Sequence, residues 1–397
     1  MATDTGFTSE QKASLTAAVS LAAAVGVGLS LTIPLLSLEM ERMGLSGGWI
    51  GANTAVAGVA SLVVVPFVPR LASRFGVLPL LWASVGLVVA SILGFRLLYS
   101  FAWWFPLRFA FSSALGVLFV LSEYWINTAA PPARRGFVMG IYATVLALGF
   151  AAGPGILSLV GTSGWPPYLV GAGLFALAAL PLRLARGLSP EVGHGTGRTV
   201  ASFLVAAPAA TLAALVFGAL ETGAFALLPV YALRIGFEAE NAAILVTAVA
   251  AGNVVFQIPI GLLSDRVDRR LVLLTAAAAG LIGAVLVPPL SGNTPAMLAV
   301  LFFWGGLTGA LYTVGLAHLG ARFTGADLAS ANAAFVILYN MGLIVGPPMV
   351  GFGMDAAPPH GFAWMLAAFC GVYVAVVLGR MFTVERSAKL GQSPSKS

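Results

Sequence analysis

The sequence predicts an all-α integral membrane protein in which twelve transmembrane helices form two pseudo-symmetric six-helix bundles. Hydrophobic residues make up 59% of the 397 positions and charged residues only 9%, with a mean hydropathy of +0.98. Soluble domains carry roughly 25% charged residues, so this composition excludes that class. Apolar runs of ~20 residues or more, long enough to cross ~30 Å of hydrocarbon, lie between most of the charges. Two segments also recur about halfway along the chain, which indicates a duplicated bundle.

The predicted helices are numbered here in chain order. They span residues 14–38, 49–69, 77–98, 102–128, 137–160, 166–185, 203–233, 240–263, 271–290, 296–320, 330–353 and 361–382. Residues 1–12 are polar, and the first apolar run is long enough to span a bilayer, so we expect no cleavable signal peptide.

The distribution of basic residues predicts topology. The formal net charge is +6, but all except four of the 20 Lys and Arg residues fall on the cytoplasmic side if the N-terminus is cytoplasmic. The four exceptions are Arg42, Arg96, Arg108 and Arg234. This bias is the positive-inside pattern. We therefore expect a multi-pass protein of the plasma (inner) membrane, with both termini in the cytoplasm and no nucleic-acid partner.

An internal repeat predicts the domain organisation. The segment "GFAAGP", which ends at Pro154, matches "GLIVGP", which ends at Pro347, and "PFVPRLASRFG" from Pro66 resembles "PIGLLSDRVD" from Pro259. Both pairs are separated by 193 positions, with a one-residue slip inside the second. We expect a first bundle over 1–186, a cytoplasmic linker over 187–202, and a second bundle with a short cytoplasmic tail over 203–397. Parallel halves of this kind place a solute path at their interface.

The loop after helix 8 carries a family motif. It reads "GLLSDRVDRR", and it fits the pattern glycine–x–x–x–Asp–Arg–x–Gly–Arg/Lys–Arg/Lys at Gly261, Asp265, Arg266, Arg269 and Arg270, with Asp268 in place of the second glycine. After helix 2 the copy is degraded: Arg74 and Gly76 match, but Ser73 stands where the acid belongs. By these motifs the chain resembles the major facilitator superfamily along essentially its whole length.

A narrower resemblance is to the YcaD-like branch of that superfamily. It rests on Arg108 in helix 4, Glu123 fifteen residues later, Arg135 and Gly136 beyond it, and "LPVY" over 228–231. The resemblance implies a transporter whose cavity is lined by helices 1, 4, 7 and 10. The implied lining residues are Thr32, Arg108, Glu221, Trp304 and Tyr312, and Asn253 and Gln257 of helix 8 are further candidates.

Glu221 is a candidate proton-coupling residue on physical grounds alone. It interrupts the apolar run "LVFGALETGAFALLPVY" of helix 7. A charged side chain at bilayer depth costs ~2.5–3.5 kcal/mol even on permissive scales, so it normally faces a cavity or a partner. Desolvation brings a carboxylate closer to proton exchange near neutral pH. The alternative is a structural hydrogen bond between helices.

Two further charged residues lie in helix 4. Arg108 is about two turns from the outer end, and its guanidinium stays charged, so it either binds an anionic substrate group, influences a nearby carboxylate, or extends to the outer interface. Glu123 lies ~22 Å further along the helix, too far for a direct pair. It either meets Arg134 or Arg135 at an inner gate or takes part in proton transfer.

The motif loop predicts a conformational latch. Gly261 would let helices approach closely, and Asp265 would interact with the N-terminus of a neighbouring helix, worth roughly 0.3–1 kcal/mol. We expect the charged contact between this loop, including Arg266, and the start of helix 5 at Arg134 and Arg135. The corresponding contact of the Arg74 loop with helix 11 would be weaker. Simple anchoring by the arginines is the alternative.

The repeated Gly-x-x-x-Gly-Pro elements indicate close helix packing and bending. Small residues one turn apart let membrane helices approach, and proline bends a helix. The residues are Gly149, Gly153 and Pro154 in helix 5, and Gly346 and Pro347 in helix 11. In the resemblance, this element favours export.

The function that these residues predict is secondary active transport of a small organic solute, coupled to protons and with a preference for export by antiport. A proton-coupled importer of an organic nutrient remains open, and a receptor or scaffold is more remote. The helices lack the paired catalytic side chains that a membrane enzyme needs, so we expect no enzymatic activity. The three histidines lie near helix ends and helices 7 and 8 lack Met, Cys and His, so we expect neither a metal site nor a cofactor. We expect a monomer.

Overall fold

The computed structural model is helical throughout the part of the chain that it describes, which is residues 7–131, 135–183, 188, 208–322 and 325–391. No β-strand occurs in these residues, which confirms the all-α prediction. Eleven of the described helices are long and apolar enough to cross a membrane. A further helix contains the shorter apolar stretch Thr144–Val160.

The helices are labelled α1 to α12 in the order of the predicted helices. Their bounds are α1 Ser9–Arg42, α2 Gly47–Phe75, α3 Val77–Leu97, α4 Phe101–Ala129, α5 Arg135–Val160, α6 Pro166–Arg183, α7 Pro208–Arg234, α8 Ala239–Ser264, α9 Arg269–Leu286, α10 Thr294–Gly320, α11 Gly325–Ala356 and α12 Gly361–Gly391. The predicted positions were correct. The helices α1, α2, α11 and α12 extend several residues beyond the predicted bounds, and α9 ends four residues earlier than predicted. The predicted start of α7 at residue 203 lies outside the described residues, and the other described bounds differ by at most two residues.

Prolines explain a break that was not predicted in α2. This helix is α-helical to Val64, passes through a 3-10 turn over Val65–Phe67, and continues as α-helix over Val68–Phe75. Pro66 and Pro69 have no backbone N–H to donate, so the regular ladder cannot continue through them. The predicted end at residue 69 is therefore too early, and the span ends only at Gly76, whose φ of 82° suits glycine.

Each half is held together by the same close helix pair. Gly149 of α5 packs on α1, where an added Cβ would lie only 2.8 Å from the carbonyl oxygen of Ala23. Gly342 of α11 packs on α7 in the same way, with a Cβ 2.8 Å from the backbone nitrogen of Ala219. The two glycines are equivalent in the sequence repeat. These contacts agree with the packing interpretation of the Gly-x-x-x-Gly-Pro elements.

The two halves also meet directly, at the end of the bundle opposite the two described chain ends. Here α2 lies against α11, and a Cβ at Gly47, Gly51 or Gly351 would overlap or crowd the facing backbone. The contact continues to Gly58, which faces Asn340. We call this region the closed end. Apart from Leu188, the predicted linker 187–202 lies outside the described residues.

Replacing Gly153 should disturb the α1–α5 pair selectively. A Cβ at Gly153 overlaps Ser30 and comes within 2.6 Å of the Leu31 backbone nitrogen, whereas nothing lies within 4 Å of a Cβ at Gly155. Overpacking costs about 1–3 kcal/mol, so Gly153→Ala should lower the melting temperature of the purified protein clearly. Gly155→Ala, two residues along the same helix, is the control and should leave it unchanged or slightly higher. Equal melting temperatures would contradict the close packing.

Candidate functional site

Glu221 occupies an unusual position on α7. Every residue from Val216 to Ala232 is buried except Glu221, which is partly exposed. The helix is surrounded by α1, α2, α8, α10, α11 and α12. The surface that Glu221 exposes therefore opens into the interior of the bundle and not toward lipid.

Aromatic side chains from three helices surround this acid. The Tyr339 hydroxyl of α11 donates a hydrogen bond of 2.7 Å to Glu221 Oε2. The Tyr339 ring lies 5.5 Å from that of Tyr312 on α10 and 6.1 Å from that of Phe217, one turn before Glu221. Phe217 and Tyr312 are 5.6 Å apart. We call Glu221, Phe217, Tyr312 and Tyr339 the acid–aromatic cluster.

The first half contributes a second acid to the same region. Tyr312 lies within electrostatic range of both Glu221 and Glu123, although Glu123 belongs to α4. Tyr142 of α5 lies within range of Glu123 and Tyr312. The structure thus brings two acids and a row of tyrosines to the seam between the halves. Of the predicted partners of Glu123, Arg134 lies outside the described residues, and nothing is described of the Arg135 side chain.

Arg108 is buried within the first half, at 1% exposure. One terminal nitrogen lies 3.4 Å from the Thr54 hydroxyl of α2, and among the described residues Nε and Nη1 have no hydrogen-bond partner. Neither polar atom of the buried Asn53 amide has a described partner either. Snorkelling to the outer interface does not fit this burial, so the guanidinium faces other helices.

The other predicted lining residues are scattered. Tyr312 joins the acid–aromatic cluster, and Thr32 is buried in α1. Trp304 is buried against α9, where its indole N–H donates to the Gly280 carbonyl at 3.0 Å. This contact gives Trp304 a packing role between α10 and α9, which corrects the prediction that it lines the seam. Asn253 of α8 lies against Gly309 of α10, and Gln257 is exposed one turn further along.

The motif loop is arranged differently from the predicted latch. Asp265 pairs with Arg269 in its own loop at 3.2 Å, and 65% of its side chain is exposed. Nothing lies within 4 Å of a Cβ at Gly261, so this glycine does not mediate a close helix approach in this conformation. The predicted close helix approach at Gly261 is therefore not present in this conformation. Arg266 is exposed, and Arg74 stacks over the Phe75 ring.

A charged bridge at the closed end was missed by sequence reasoning. Arg234, the last residue of α7, donates to both carboxylate oxygens of Glu41 on α1, at 2.9 and 3.0 Å, and to Asp355 of α11 at 3.1 Å. Asp355 also accepts from the backbone nitrogens of Gly47 and Gly48, at the start of α2. Bidentate pairs of this kind are strong and directional. We call these contacts the Arg234 bridge.

The sequence does contain a signal for this bridge. Glu41 and Arg234 are 193 positions apart, which is the offset of the internal repeat. Equivalent positions of two related halves lie close together when they are near the pseudo-twofold axis. Opposite charges at such a pair of positions would have indicated a contact.

A neighbouring network stays within the first half. Arg42 pairs with Glu39 at 2.6 Å and donates to the hydroxyl and carbonyl oxygens of Thr162. The Tyr99 hydroxyl donates to the other oxygen of Glu39 at 2.7 Å. Burial and this hydrogen bond raise the pKa of Tyr99 to about 12, so the hydroxyl remains a donor at physiological pH.

Comparison with protein families gives a consistent match. The family model described as Major Facilitator Superfamily matches residues 18–244 and 210–397. A similar protein from Bacillus subtilis (strain 168), named uncharacterized MFS-type transporter YfkF, is 28% identical over 374 residues, which cover 91% of this chain and 94% of that one. Another, uncharacterized MFS-type transporter YcaD from Escherichia fergusonii, is 24% identical and covers 73% of this chain and 75% of its own.

Solved structures share the fold. A mutant of the nucleoside transporter NupG superimposes with a TM-score of 0.77, covering 92% of this chain and 99% of that chain at 15% identity. A bacterial homolog of the human lysosomal transporter Spinster, inward-facing and unoccupied, gives 0.75 over 98% of this chain and 100% of its own, also at 15% identity. At this level of identity the likeness shows the architecture alone.

Removing the Arg234 bridge should loosen the closed end. In Arg234→Ala, Glu41 and Asp355 lose their shared cation and repel each other. Hydrogen bonds to charged groups contribute about 1.5–3 kcal/mol and partial exposure reduces this, so we expect about 1–2 kcal/mol, or about a 5- to 30-fold shift in population. Spin labels on Ser46→Cys and Glu238→Cys, both exposed helix caps in opposite halves, should report a longer distance.

Arg42→Ala is the matched control for this measurement. Its described partners all belong to the first half, so the distance between the labels should not change. The single native cysteine, Cys370, is buried and should not take up label. An identical distance distribution in wild type and Arg234→Ala would show that the bridge does not hold this end closed.

Proposed function

The chain belongs to the Major Facilitator Superfamily, in its YcaD-like group of transporters, and from this membership we propose that it is a secondary active transporter that moves a small organic solute by alternating access. It is a multi-pass membrane protein and a transporter, not an enzyme. Our proposals concern the energy source of transport, its direction and the solute.

We propose that transport is coupled to protons through Glu221. The observation that carries this proposal is that Glu221 alone exposes surface within a stretch of α7 that is otherwise buried. An ionised carboxylate inside a membrane bundle needs a compensating charge. Among the described residues no basic side chain forms an ion pair with Glu221, and its one described hydrogen-bond partner, Tyr339, is neutral. A bound proton or a bound cationic group therefore has to balance the charge.

Alternating access then uses the two halves as moving bodies, 1–186 and 203–397 with the linker between them. The Arg234 bridge and the glycine contacts of α2 with α11 support closure at the end opposite the termini. With both termini in the cytoplasm of a plasma (inner) membrane, as the positive-inside pattern favours, the closed end faces the outside, and we propose that this conformation opens toward the inside. Asp265 and the arginines of its loop would form the opposing latch after the inner ends close.

Two further residues have proposed roles in this cycle. The free N–H groups of Arg108 suit contact with an anionic group, in the conformation in which the closed end has opened. Glu123 is proposed to pass protons between the seam and the cytoplasm, because it shares electrostatic range with Tyr142 and Tyr312.

We favour export by proton antiport over import. A single acid that holds either a proton or the solute exchanges one for the other, which is the logic of an antiporter. The orientation of the pH gradient that drives accumulation distinguishes antiport from symport. Antiport accumulates solute in proteoliposomes with an acidic lumen, whereas symport requires an acidic exterior.

Glu221→Gln should uncouple transport from the pH gradient. Glutamine resembles the protonated acid in shape but cannot release a proton. In proteoliposomes, solutes identified by ligand-induced thermal shift should accumulate under a gradient with wild type, and at least about tenfold less with the variant, whose residual uptake should be the same with and without a gradient.

The matched control is Glu238→Gln, the same chemical change at an exposed residue that caps α8 without a side-chain bond. It should keep wild-type coupling. If Glu221→Gln responds to the gradient as wild type does, proton coupling at this residue is refuted.

A further inference from the structure

The acid–aromatic cluster has the composition of a site for organic cations. It combines one carboxylate with three aromatic rings, contributed by α7, α10 and α11, and every pair of ring centroids lies between 5.5 and 6.1 Å apart. The faces of aromatic rings carry partial negative charge and attract ammonium groups within about 6 Å of the centroid. Tyr312 and Tyr339 are partly exposed, as is Glu221, so the surrounding helices leave part of each of these side chains uncovered.

The electrostatics of the seam favour a positive ligand. Glu123 adds a second carboxylate within range of Tyr312. Arg108 is buried on α4 and is directed toward Thr54 of α2, within the first half. Within the acid–aromatic cluster itself the described charge is the Glu221 carboxylate, and a cationic group would meet both this carboxylate and ring faces.

A metal ion fits this site poorly. The described residues contain no group of three or more His, Cys, Asp or Glu side chains that could hold one. Hard cations such as Mg²⁺ and Ca²⁺ require six or more oxygen ligands, and soft metals require sulfur or imidazole. The partly exposed rings of Tyr312 and Tyr339 instead provide aromatic contact area, which suits a cation with organic substituents.

We propose that the acid–aromatic cluster recognises the positively charged group of an organic cation, such as a substituted ammonium or phosphonium. This inference rests on the proposed transport function and names its substrate class. The carboxylate of Glu221 would pair with the charge, the Tyr339 hydroxyl would hold the carboxylate in place, and the ring of Tyr312, which packs on the buried Phe217, would cover the substituents.

Binding of two probe ions of nearly the same shape and opposite charge tests the inference. Purified full-length protein in detergent is titrated with radiolabelled tetraphenylphosphonium and, in separate samples, with radiolabelled tetraphenylborate. We expect saturable binding of the cation and no saturable binding of the anion. Glu221→Gln should weaken this binding at least tenfold, and Tyr312→Leu about two- to thirtyfold, the range for a cation–π contact.

Two control variants separate recognition from general damage. Glu238→Gln changes an exposed acid, and Phe352→Leu removes a ring that is 68% exposed. Both should bind tetraphenylphosphonium as wild type does. Tyr339→Phe keeps the ring but loses the hydrogen bond to Glu221, so it should weaken binding less than Glu221→Gln. Melting temperatures verify that each variant is folded.

The outcomes are distinct for the inference and for the proposed function. Any of three results would overturn the inference. The first is equal cation binding by folded Glu221→Gln and wild type, and the second is equal binding of the anion and the cation by wild type. The third is the lack of saturable binding of both tetraphenylphosphonium and the smaller benzyltrimethylammonium. If the cation-binding inference is overturned while Glu221→Gln still abolishes gradient-driven transport of another solute, the proton-coupling proposal stands. If cation binding depends on Glu221 but transport is insensitive to the gradient, the proposed coupling fails and the inference stands.

Discussion

An acid halfway along an enclosed membrane helix restricts what the rest of the bundle can be. A charge in hydrocarbon is unfavourable by several kcal/mol, so the carboxylate of Glu221 requires an interior surface that water, a proton or a ligand reaches. The surrounding helices leave this one position of α7 partly uncovered between Val216 and Ala232. The helices of the two halves therefore meet tightly at one end and leave part of the Glu221 side chain uncovered. That combination is the geometric basis of an accessible seam in an otherwise packed protein.

The duplicated scaffold is specialised in only one half. Position 221 minus the repeat offset of 193 is Gly28 of α1, where a Cβ would overlap the Phe175 ring. The first half thus uses this position for close packing, and the second half uses it for an acid. At the closed end the repeat acts differently, because Glu41 and Arg234 occupy equivalent positions and carry opposite charges. Divergence after duplication has produced a central site in one half and a charge pair across both.

Sequence alone predicted the helices and the acid because both are local signals. Apolar runs of spanning length identified all twelve helices, and Glu221 was recognisable as a charge inside one of them. The hydrogen-bond partner of Glu221 could not be predicted, because Tyr339 is 118 residues away and local periodicity does not encode the register between two helices. Trp304 was misplaced for a related reason: periodicity does not determine which neighbouring helix each face of α10 contacts. The latch at the motif loop stays a prediction, because Asp265 pairs here with Arg269 of the same loop.

The position of α7 connects the central acid with the closed end. Arg234 lies thirteen residues after Glu221 on the same helix, or ~20 Å along its axis. Between them Phe225 contacts Phe150 of α5 in the other half, with ring centroids 5.5 Å apart. Pro229 lies between Phe225 and Arg234 and has no backbone N–H to donate, so the helix is weakened between these two contacts. Both contacts join the two halves, so in the proposed transport cycle a shift of α7 at Glu221 would act on the Phe150 contact directly and on the Arg234 bridge through the turn that contains Pro229.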